Sequence, residues 1–191
     1  MSARRLSQAI SEGDGISVLV EVRDSHAADV AAADGADGLV LRGLVEGLAA
    51  VTDLPVLVYG PSLRDAADAT ADAVVVGADD DPEDVAAAVD QAASLGLECV
   101  VRVADEDALE AVLEQLDPEL LLLCADDVGD DETPLERLLT LLHDVPAGKL
   151  VVAELAAASR ADVEELERAG VDAVIVSGDA RPLVGDDPPA V

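Results

Sequence analysis

Ionisable and hydrogen-bonding residues directly follow several short apolar segments of the chain, at positions where the strands of an α/β protein would end. In chain order, these positions are Glu21, Arg23, Arg42, Tyr59, Arg102, Asp126, Glu154, Ser177 and Gly178. The three carboxylates could act as general acids or bases. The arginines are suited to two-point binding of a carboxylate or a phosphate, and the remaining residues would add hydrogen-bond donors. The set therefore indicates either acid–base catalysis on an anionic ligand or binding of such a ligand.

Two interpretations of the charged residues in this set stay open. Side chains alternate between the two faces of a strand, and this alternation lets Glu21, Arg102 and Glu154 point to a common axis. Arg23 has the same register as Glu21. A Glu–Arg–Glu cluster on that axis could bind a polar ligand. It could equally form a self-contained ion network in which each charge satisfies the next.

The pattern of histidines and cysteines does not indicate metal, redox or nucleophilic chemistry. His26 and His143 are isolated, and Cys99 and Cys124 lie in separate predicted strands without a C-x-x-C pattern. No Ser/His/Asp or Cys/His arrangement can be assembled from the sequence. We therefore predict neither a metal nor a cofactor, and we expect both cysteines to be buried thiols.

Eight short apolar segments alternate with Ala-rich, acid-containing segments that have helical periodicity. The predicted strands are Ser17–Val22, Gly38–Leu41, Val56–Tyr59, Ala73–Val76, Glu98–Val103, Leu120–Cys124, Leu150–Glu154 and Ala173–Val176. Near-continuous apolar strands between amphipathic helices are typical of a parallel sheet that is covered by helices.

A weak repeat with a period of two strands distinguishes between two folds of this kind. An acidic residue precedes every second segment, at Asp37, Asp72, Asp117 and Asp172, whereas the other segments begin differently. This period favours a closed (β/α)₈ barrel, because alternate strands of such a barrel fill alternate core layers. The alternative is a doubly wound open sheet, which usually has fewer strands and often a G-x-G-x-x-G turn that is absent here. We therefore predict an α/β protein with the (β/α)₈ TIM-barrel fold.

The length of 191 residues is at the small end for this fold, so the loops must be short. We expect a single barrel domain over residues 1–185, with a short helix within residues 3–12 before the first strand. Residues 186–191 are expected to form a flexible tail.

The charge of the chain is strongly one-sided, with 42 acidic and 11 basic residues and a formal net charge of −31. Such a charge repels nucleic acid and anionic membranes, so we expect neither as a partner. The acids lie along every predicted helix, whereas acidic interaction modules concentrate them in tails. Repulsion among these acids costs stability at low salt, but molar salt shortens the screening length to about 3 Å and largely removes that cost. The acidic composition and the single lysine, Lys149, therefore favour a halophilic, haloarchaeal origin. No apolar run approaches a membrane span or a signal peptide, so a soluble cytoplasmic protein is expected.

Two segments of the second half resemble indole-3-glycerol phosphate synthase, the (β/α)₈ lyase of tryptophan biosynthesis. Leu150–Glu154 is similar to that family's strand-seven motif V-V-S-E-S-G-I, and Ser159–Val176 is similar to the next helix and to the A-G-V-D-A-V-L-V-G of strand eight. Leu97–Leu109 is similar to the family's A-L-V-E-V-H-D-E-E-E-L. Nearer the N-terminus, Val20–Arg23 resembles A-E-x-K. The opening through Gly35–Asp37 is also similar to phosphoribosylanthranilate isomerase, a related barrel.

The resemblance implies matching acid–base carboxylates at Glu21 and Glu154 but argues against the family's reaction. That reaction closes a ring with loss of carbon dioxide and water, and it uses a lysine general acid on strand three and a supporting lysine on strand one. Tyr59 and Arg23 stand at these two positions. A guanidinium, with a pKa above about 12, does not readily donate a proton.

Other positions also depart from the family pattern. Arg102 replaces a carboxylate on strand five, Cys124 replaces an asparagine on strand six, and Leu155 replaces a serine on strand seven. At the family's phosphate site, Ser-Gly-Asp at residues 177–179 replaces Gly-Glu-Ser. The aspartate there would repel a phosphate, although the serine and the glycine could still donate hydrogen bonds.

Together, these features predict a divergent indole-3-glycerol phosphate synthase-like barrel that lacks the catalytic lysines. We expect such a pseudoenzyme to bind a small anionic or phosphorylated ligand, or a protein partner that the sequence does not identify. The alternative is a lyase or isomerase acting on a phosphorylated sugar through Glu21, Glu154 and Asp126, with Arg23 or Arg102 holding the anion.

Overall fold

The computed structural model describes residues 6–13, 15–45, 48, 52–60, 62–77, 82–126, 128–129 and 132–184. Eight parallel strands form a closed barrel in which each strand pairs with its neighbours in chain order and β8 pairs with β1. The strands are β1 (Ser17–Glu21), β2 (Gly38–Leu41), β3 (Val56–Tyr59), β4 (Ala73–Gly77), β5 (Glu98–Val103), β6 (Leu120–Cys124), β7 (Leu150–Glu154) and β8 (Ala173–Ser177). The predicted TIM barrel is therefore confirmed.

The described helices lie before or between these strands, and those between strands cover the outer face of the sheet. They are α1 (Leu6–Ser11), α2 (Ser25–Ala33), α3 (Leu63–Asp68), α4 (Pro82–Ser94), α5 (Glu106–Gln115), α6 (Pro134–His143) and α7 (Arg160–Ala169). None of these helices has the length and hydrophobicity needed to cross a lipid bilayer.

The predicted strand boundaries need small corrections at three places. β1 ends at Glu21, one residue before the predicted Val22, while β4 and β8 each extend one residue further, to Gly77 and Ser177. The helix expected within residues 3–12 is α1, and residues 3–5 lie outside the described part of the chain. The predicted tail at residues 186–191 also lies outside the described residues.

Two layers of aliphatic side chains account for the closed sheet. Alternate residues of the strands point inward and fill the barrel, among them Leu19, Val40, Leu57, Val100, Leu122, Val152 and Ile175. The residues between them point outward and pack against the helices, among them Val18, Val20, Leu39, Val101, Leu121 and Val174. Because both faces are buried, the strands appear in the sequence as continuous apolar runs.

Helix α1 closes the amino-terminal end of the barrel. Its Leu6 and Ile10 are buried among the inward-pointing side chains. The backbone N–H of Ser7 donates to Glu98 Oε2 at 3.0 Å, and the Ser7 hydroxyl donates to the other oxygen of the same carboxylate. Glu98 is the first residue of β5, so this contact fixes the helix across the barrel floor.

The acidic repeat has a structural role at three of its four positions. The carboxylates of Asp37, Asp72 and Asp172 directly precede β2, β4 and β8, and each accepts a backbone N–H of the preceding odd-numbered strand. The donors are Val18 N at 2.8 Å, Val56 N at 2.9 Å and Val151 N at 2.7 Å. At β6 the pattern differs, because Asp117 lies three residues before the strand and binds Lys149 Nζ at 2.6 Å. The three aspartates thus connect β1 with β2, β3 with β4 and β7 with β8.

Candidate functional site

The carboxyl ends of the strands form a rim that carries the polar residues predicted from the sequence. Inward alternation continues beyond the apolar layers, so that the last inward positions are polar or charged. These positions are Glu21 on β1, Arg42 after β2, Tyr59 on β3, Arg102 on β5, Cys124 on β6, Glu154 on β7 and Ser177 on β8. The predicted site residues therefore share one end of the barrel.

Arg42 lies between the two family-matching glutamates. Its Nε donates to Glu21 Oε2 at 3.3 Å, and its Nη2 forms an ion pair with Glu154 Oε1. The guanidinium also stacks on the ring of Tyr59, with Cζ 3.9 Å from the ring centroid. The predicted Glu–Arg–Glu cluster is present, but the arginine between the carboxylates is Arg42, where the strand register had suggested Arg102.

Glu154 is the centre of this network, because three side chains from three different strand ends donate to it. Besides Arg42, the Tyr59 hydroxyl donates to Glu154 Oε2 at 2.8 Å, and the Cys124 thiol donates to the same oxygen at 3.3 Å. The Glu154 side chain is 20% exposed. A weaker contact at 3.4 Å joins the Ser177 hydroxyl to Glu21 Oε2. Sequence reasoning missed Cys124 as a donor, since a thiol in an apolar strand gave no signal of that role.

These contacts stabilise the charged form of Glu154. Burial alone would raise its pKa, but the hydrogen bonds from Arg42, Tyr59 and Cys124 outweigh burial and hold the pKa below the ordinary value. The pKa of Arg42 is raised in turn, because the hydrogen bond and charge of Glu154 outweigh the effect of burial. Both groups are therefore fully ionised at neutral pH.

The two neutral donors next to Glu154 hold their protons strongly. Burial raises the pKa of the Tyr59 hydroxyl far above its usual range, and the nearby charge of Glu154 raises it further. Burial and Glu154 raise the pKa of the Cys124 thiol in the same way. At neutral pH this part of the rim thus offers a carboxylate that does not take up a proton and two donors that do not release one.

Arg102 and Asp126 form a further ion pair at the rim, and the charge of Glu154 also acts on Arg102. Their ion pair joins Arg102 Nη2 to Asp126 Oδ2, and the side chains are 20% and 51% exposed, respectively. Burial opposes the charge of Arg102, but the hydrogen bond to Asp126 raises its pKa overall. Asp126, predicted as an acid–base group, is therefore a half-exposed carboxylate already bound to a cation.

A small cleft of about 290 Å³ lies beside the ends of β1 and β2. Arg23 and Arg42 line it together with Glu21 and the apolar side chains of Leu44 and Val45. Arg23 is exposed and forms no ion pair with the described residues. It lies two residues beyond the end of β1 and lines this cleft together with Glu21 and Arg42.

The end of β8 is open to solvent. Ser177 and Gly178 are exposed, and Gly178 has a φ of +110°, a left-handed conformation that suits glycine. The neighbouring Asp179 is also exposed and accepts the backbone N–H of Arg181 at 3.0 Å. The two predicted donors therefore lie next to a carboxylate.

A larger cleft of about 730 Å³ extends from the rim to the starts of α6 and α7. Cys124 and Glu154 form part of its lining, together with the carboxylates of Asp126, Glu136, Asp162 and Glu165. At the start of each helix, the capping residue Thr133 or Ser159 accepts one helix N–H. The capping carboxylates of Glu136 and Asp162 accept the N–H of those capping residues in return. This cleft therefore presents negative charge, and sequence reasoning missed it because its walls come from separate loops.

The described residues contain no group of three His, Cys, Asp or Glu side chains arranged to hold a metal ion. Both cysteines are free thiols. Cys124 is buried and Cys99 is partly buried.

Sequence comparison identifies the family of this barrel. The family model described as indole-3-glycerol phosphate synthase matches residues 61–180, which is more than half of the chain. The chain belongs to the indole-3-glycerol phosphate synthase family. The match includes the ends of β4 to β8 and therefore the part of the rim that carries Cys124 and Glu154.

Individual synthases of the family are related at modest identity. The chain is 33% identical over 107 residues to indole-3-glycerol phosphate synthase of Geobacillus thermodenitrificans, an alignment that covers 56% of this chain and 42% of that protein. It is 32% identical over 95 residues to the synthase of Geobacillus kaustophilus, covering 50% of this chain and 37% of that protein. The matched part of the chain thus spans about two fifths of the length of these synthases.

Solved structures share the fold at low sequence identity. The N-acetylmannosamine-6-phosphate 2-epimerase of Clostridium perfringens superimposes with a TM-score of 0.66 at 13% identity, covering 87% of each chain. The 3-hexulose-6-phosphate synthase of Salmonella typhimurium superimposes with a TM-score of 0.63 at 18% identity, covering 91% of this chain and 93% of that one. These similarities confirm the TIM-barrel fold of this synthase-family member.

The single lysine of the chain lies at the opposite end of the barrel from the rim. Lys149 directly precedes β7, and its Nζ binds both the carboxylate and the carbonyl oxygen of Asp117, at 2.6 and 3.1 Å. In this synthase-family barrel, the lysine therefore joins the chain before β7 to the chain before β6 at the amino-terminal end.

Proposed function

We propose that this chain is a divergent member of the indole-3-glycerol phosphate synthase family that binds a small anion and does not carry out the family's ring-closing reaction. The observation that supports this proposal best is the state of Glu154. Its carboxylate already accepts hydrogen bonds from Arg42, Tyr59 and Cys124. A base bound in this way is weakened, because each donor stabilises the charge that proton uptake would remove.

The proton donors at the rim support the same conclusion. The family's reaction uses a lysine general acid on strand three and a supporting lysine on strand one, and Tyr59 and Arg23 stand at these positions of this chain. The raised pKa of Tyr59 makes it a poor acid at neutral pH.

The cleft beside β1 and β2 is the proposed place for the anion. Arg23 is exposed there and forms no ion pair with the described residues, and Arg42 lines the same cleft. Two guanidinium groups can bind a phosphate or carboxylate with charge-assisted hydrogen bonds. The apolar side chains of Leu44 and Val45 would contact the organic part of the ligand. Ser177 and Gly178 could add donors at the other side of Glu21.

A second candidate is a lyase or isomerase that acts on a phosphorylated sugar. The three carboxylates that it requires, Glu21, Asp126 and Glu154, lie at one rim, and the carboxylate of Asp126 is half exposed. The two superimposable barrels are named for reactions of phosphorylated sugars. In this mechanism one carboxylate would move a proton while Arg23 or Arg102 held the phosphate.

The first test is a search for the family's reaction. Purified protein in molar KCl is incubated with 1-(2-carboxyphenylamino)-1-deoxyribulose 5-phosphate, and formation of the indole product is followed. We expect no turnover above the rate without protein. Turnover that E154Q abolishes would overturn the proposal.

The second test measures anion binding at the lowest KCl concentration that keeps the protein folded. Isothermal titration with inorganic phosphate and with pentose and hexose phosphates is expected to give binding that R23L weakens about tenfold, the equivalent of one lost charge-assisted hydrogen bond. R168L removes an exposed arginine from the end of α7 and serves as the control. Equal binding by R23L and R168L would refute the proposed cleft. Conversion of a sugar phosphate, followed by NMR, would favour the second candidate.

A further inference from the structure

The contacts of Glu154 define a binding site in their own right. Three donors of different chemistry converge on one carboxylate: a guanidinium from the end of β2, a phenol from β3 and a thiol from β6. Arg42 binds one oxygen, while Tyr59 and Cys124 bind the other. Donors that separate strands position can form a preorganised receptor, and Tyr59 and Cys124 lie within β3 and β6.

We propose that Arg42, Tyr59 and Cys124 form a carboxylate-binding site whose occupant is the protein's own Glu154. The site takes a monocarboxylate as ligand, because one acceptor oxygen faces the cation and the other faces two neutral donors. An external carboxylate enters only when the Glu154 side chain is withdrawn. This inference goes beyond the proposed function, since it depends on the contacts of Glu154 and not on whether the intact protein binds an anion.

An entry path for such a ligand exists. Glu154 and Cys124 line the cleft of about 730 Å³ that opens between α6 and α7. A cavity left by a shortened Glu154 would therefore join this cleft and be reachable from solvent. The surrounding carboxylates, among them Asp126 and Glu165, oppose entry of an anion at low salt, and molar salt screens that repulsion.

The test removes the internal ligand and supplies it from solution. In E154A, the missing atoms beyond Cβ have the carbon and oxygen skeleton of acetate. Potassium acetate is exchanged for KCl at constant ionic strength, and the thermal midpoint and the acetate Kd are measured. We expect acetate to bind E154A at least about tenfold more tightly than the wild-type protein, because hydrogen bonds to a charged acceptor are stronger than neutral ones.

Two controls separate this site from general effects of acetate. E164A removes an exposed glutamate that pairs with Arg160 on α7 and should show only the acetate response of the wild-type protein. E154Q keeps the side chain in place and should also show no additional response. Adding Y59F to E154A should weaken acetate binding by about tenfold, the equivalent of one hydrogen bond to a charged acceptor.

The outcomes decide the inference in either direction. If E154A is unfolded in KCl, acetate must restore its far-ultraviolet circular dichroism, and E154S, a second variant that opens the cavity, must show the same dependence. Equal acetate responses of E154A, E154S and E164A would overturn the inference. An undiminished response after adding Y59F would overturn it as well.

Discussion

Replacement of Arg42 by leucine tests the central contact of the rim. The change removes the guanidinium that joins Glu21 to Glu154 and that stacks on Tyr59. Leucine fills part of the same volume but offers no charge and no donor. Two carboxylates that shared a cation then face each other at the mouth of the barrel.

The expected loss of stability follows from the exposure of the groups. A buried ion pair that loses one partner costs about 3–5 kcal/mol, whereas an exposed pair contributes only about 0–1 kcal/mol. The Arg42 side chain is 43% exposed, while Glu21 and Glu154 are 16% and 20% exposed. The pairs lie between these limits, so we expect a loss of about 2 kcal/mol, stacking on Tyr59 included. For a chain of this size, the midpoint of thermal unfolding should fall by about 4–8 °C.

The pH dependence provides a second and more specific result. The folded-state pKa of Glu154 lies below its ordinary value, so its contacts contribute stability above that value and lose it as the pH falls through the folded-state pKa. Removal of Arg42 takes away the largest of the contacts that lower this pKa. The difference between wild type and R42L should therefore be largest near neutral pH and shrink below about pH 4.5.

Thermal unfolding followed by circular dichroism in molar KCl, at pH 7 and at pH 4, measures both effects. R160L provides the control, because its pair with Glu164 is an exposed contact along one helix, and we expect a loss of about 0.5 kcal/mol or less. The reasoning is refuted if R42L and R160L have the same midpoint of thermal unfolding at pH 7.

Three further predictions concern other parts of the molecule. D37A should lose about 1–2 kcal/mol of unfolding free energy, because the N–H of Val18 is left unpaired. D37N should lose less, because its amide oxygen can still accept that N–H, and because burial raises the pKa of the Asp37 carboxyl, so that its charge costs stability as the pH rises through that pKa. Urea unfolding at pH 7 compares the two variants, and equal losses would contradict this account. Burial raises the pKa of Cys99 to about 11 and raises that of Cys124 further. Iodoacetamide at pH 8 should therefore label neither thiol until the protein unfolds, which mass spectrometry measures. Rapid labelling of the folded protein would disprove this prediction. The net charge of −31 predicts a melting temperature that rises steadily from low salt to molar KCl, and a flat profile in calorimetry would refute the role given to self-repulsion.

The sequence predicts the strands well because burial on both faces removes ambiguity. β6 appears as Leu120–Cys124 in both the sequence pattern and the structure, since all five side chains are buried. The corrections occur where a strand meets the rim. Gly77 and Ser177 carry no strand preference of their own, and they extend β4 and β8 by pairing with Arg102 and Glu21.

The partners at the rim could not be predicted from the sequence. Alternation correctly places Glu21 and Glu154 on the inside, but it does not give their heights around a staggered barrel. Glu154 is level with Cys124 on one neighbouring strand and with Ile175 on the other, and Arg42 reaches it from the opposite side of the mouth. Which arginine bridges the carboxylates depends on the length of each side chain and on the backbone beyond β2. Neither property has a periodic signal.

The fastening of the barrel at its amino-terminal end has a consequence for how such a scaffold can change. Asp37, Asp72 and Asp172 join neighbouring strands through main-chain amides, and α1 seals the same end. Closure of the ring is therefore secured about one strand length away from the rim at the carboxyl ends of the strands. Substitutions at that rim can then change its side chains without opening the cylinder, which makes this small chain a suitable starting framework for installing new active sites by design.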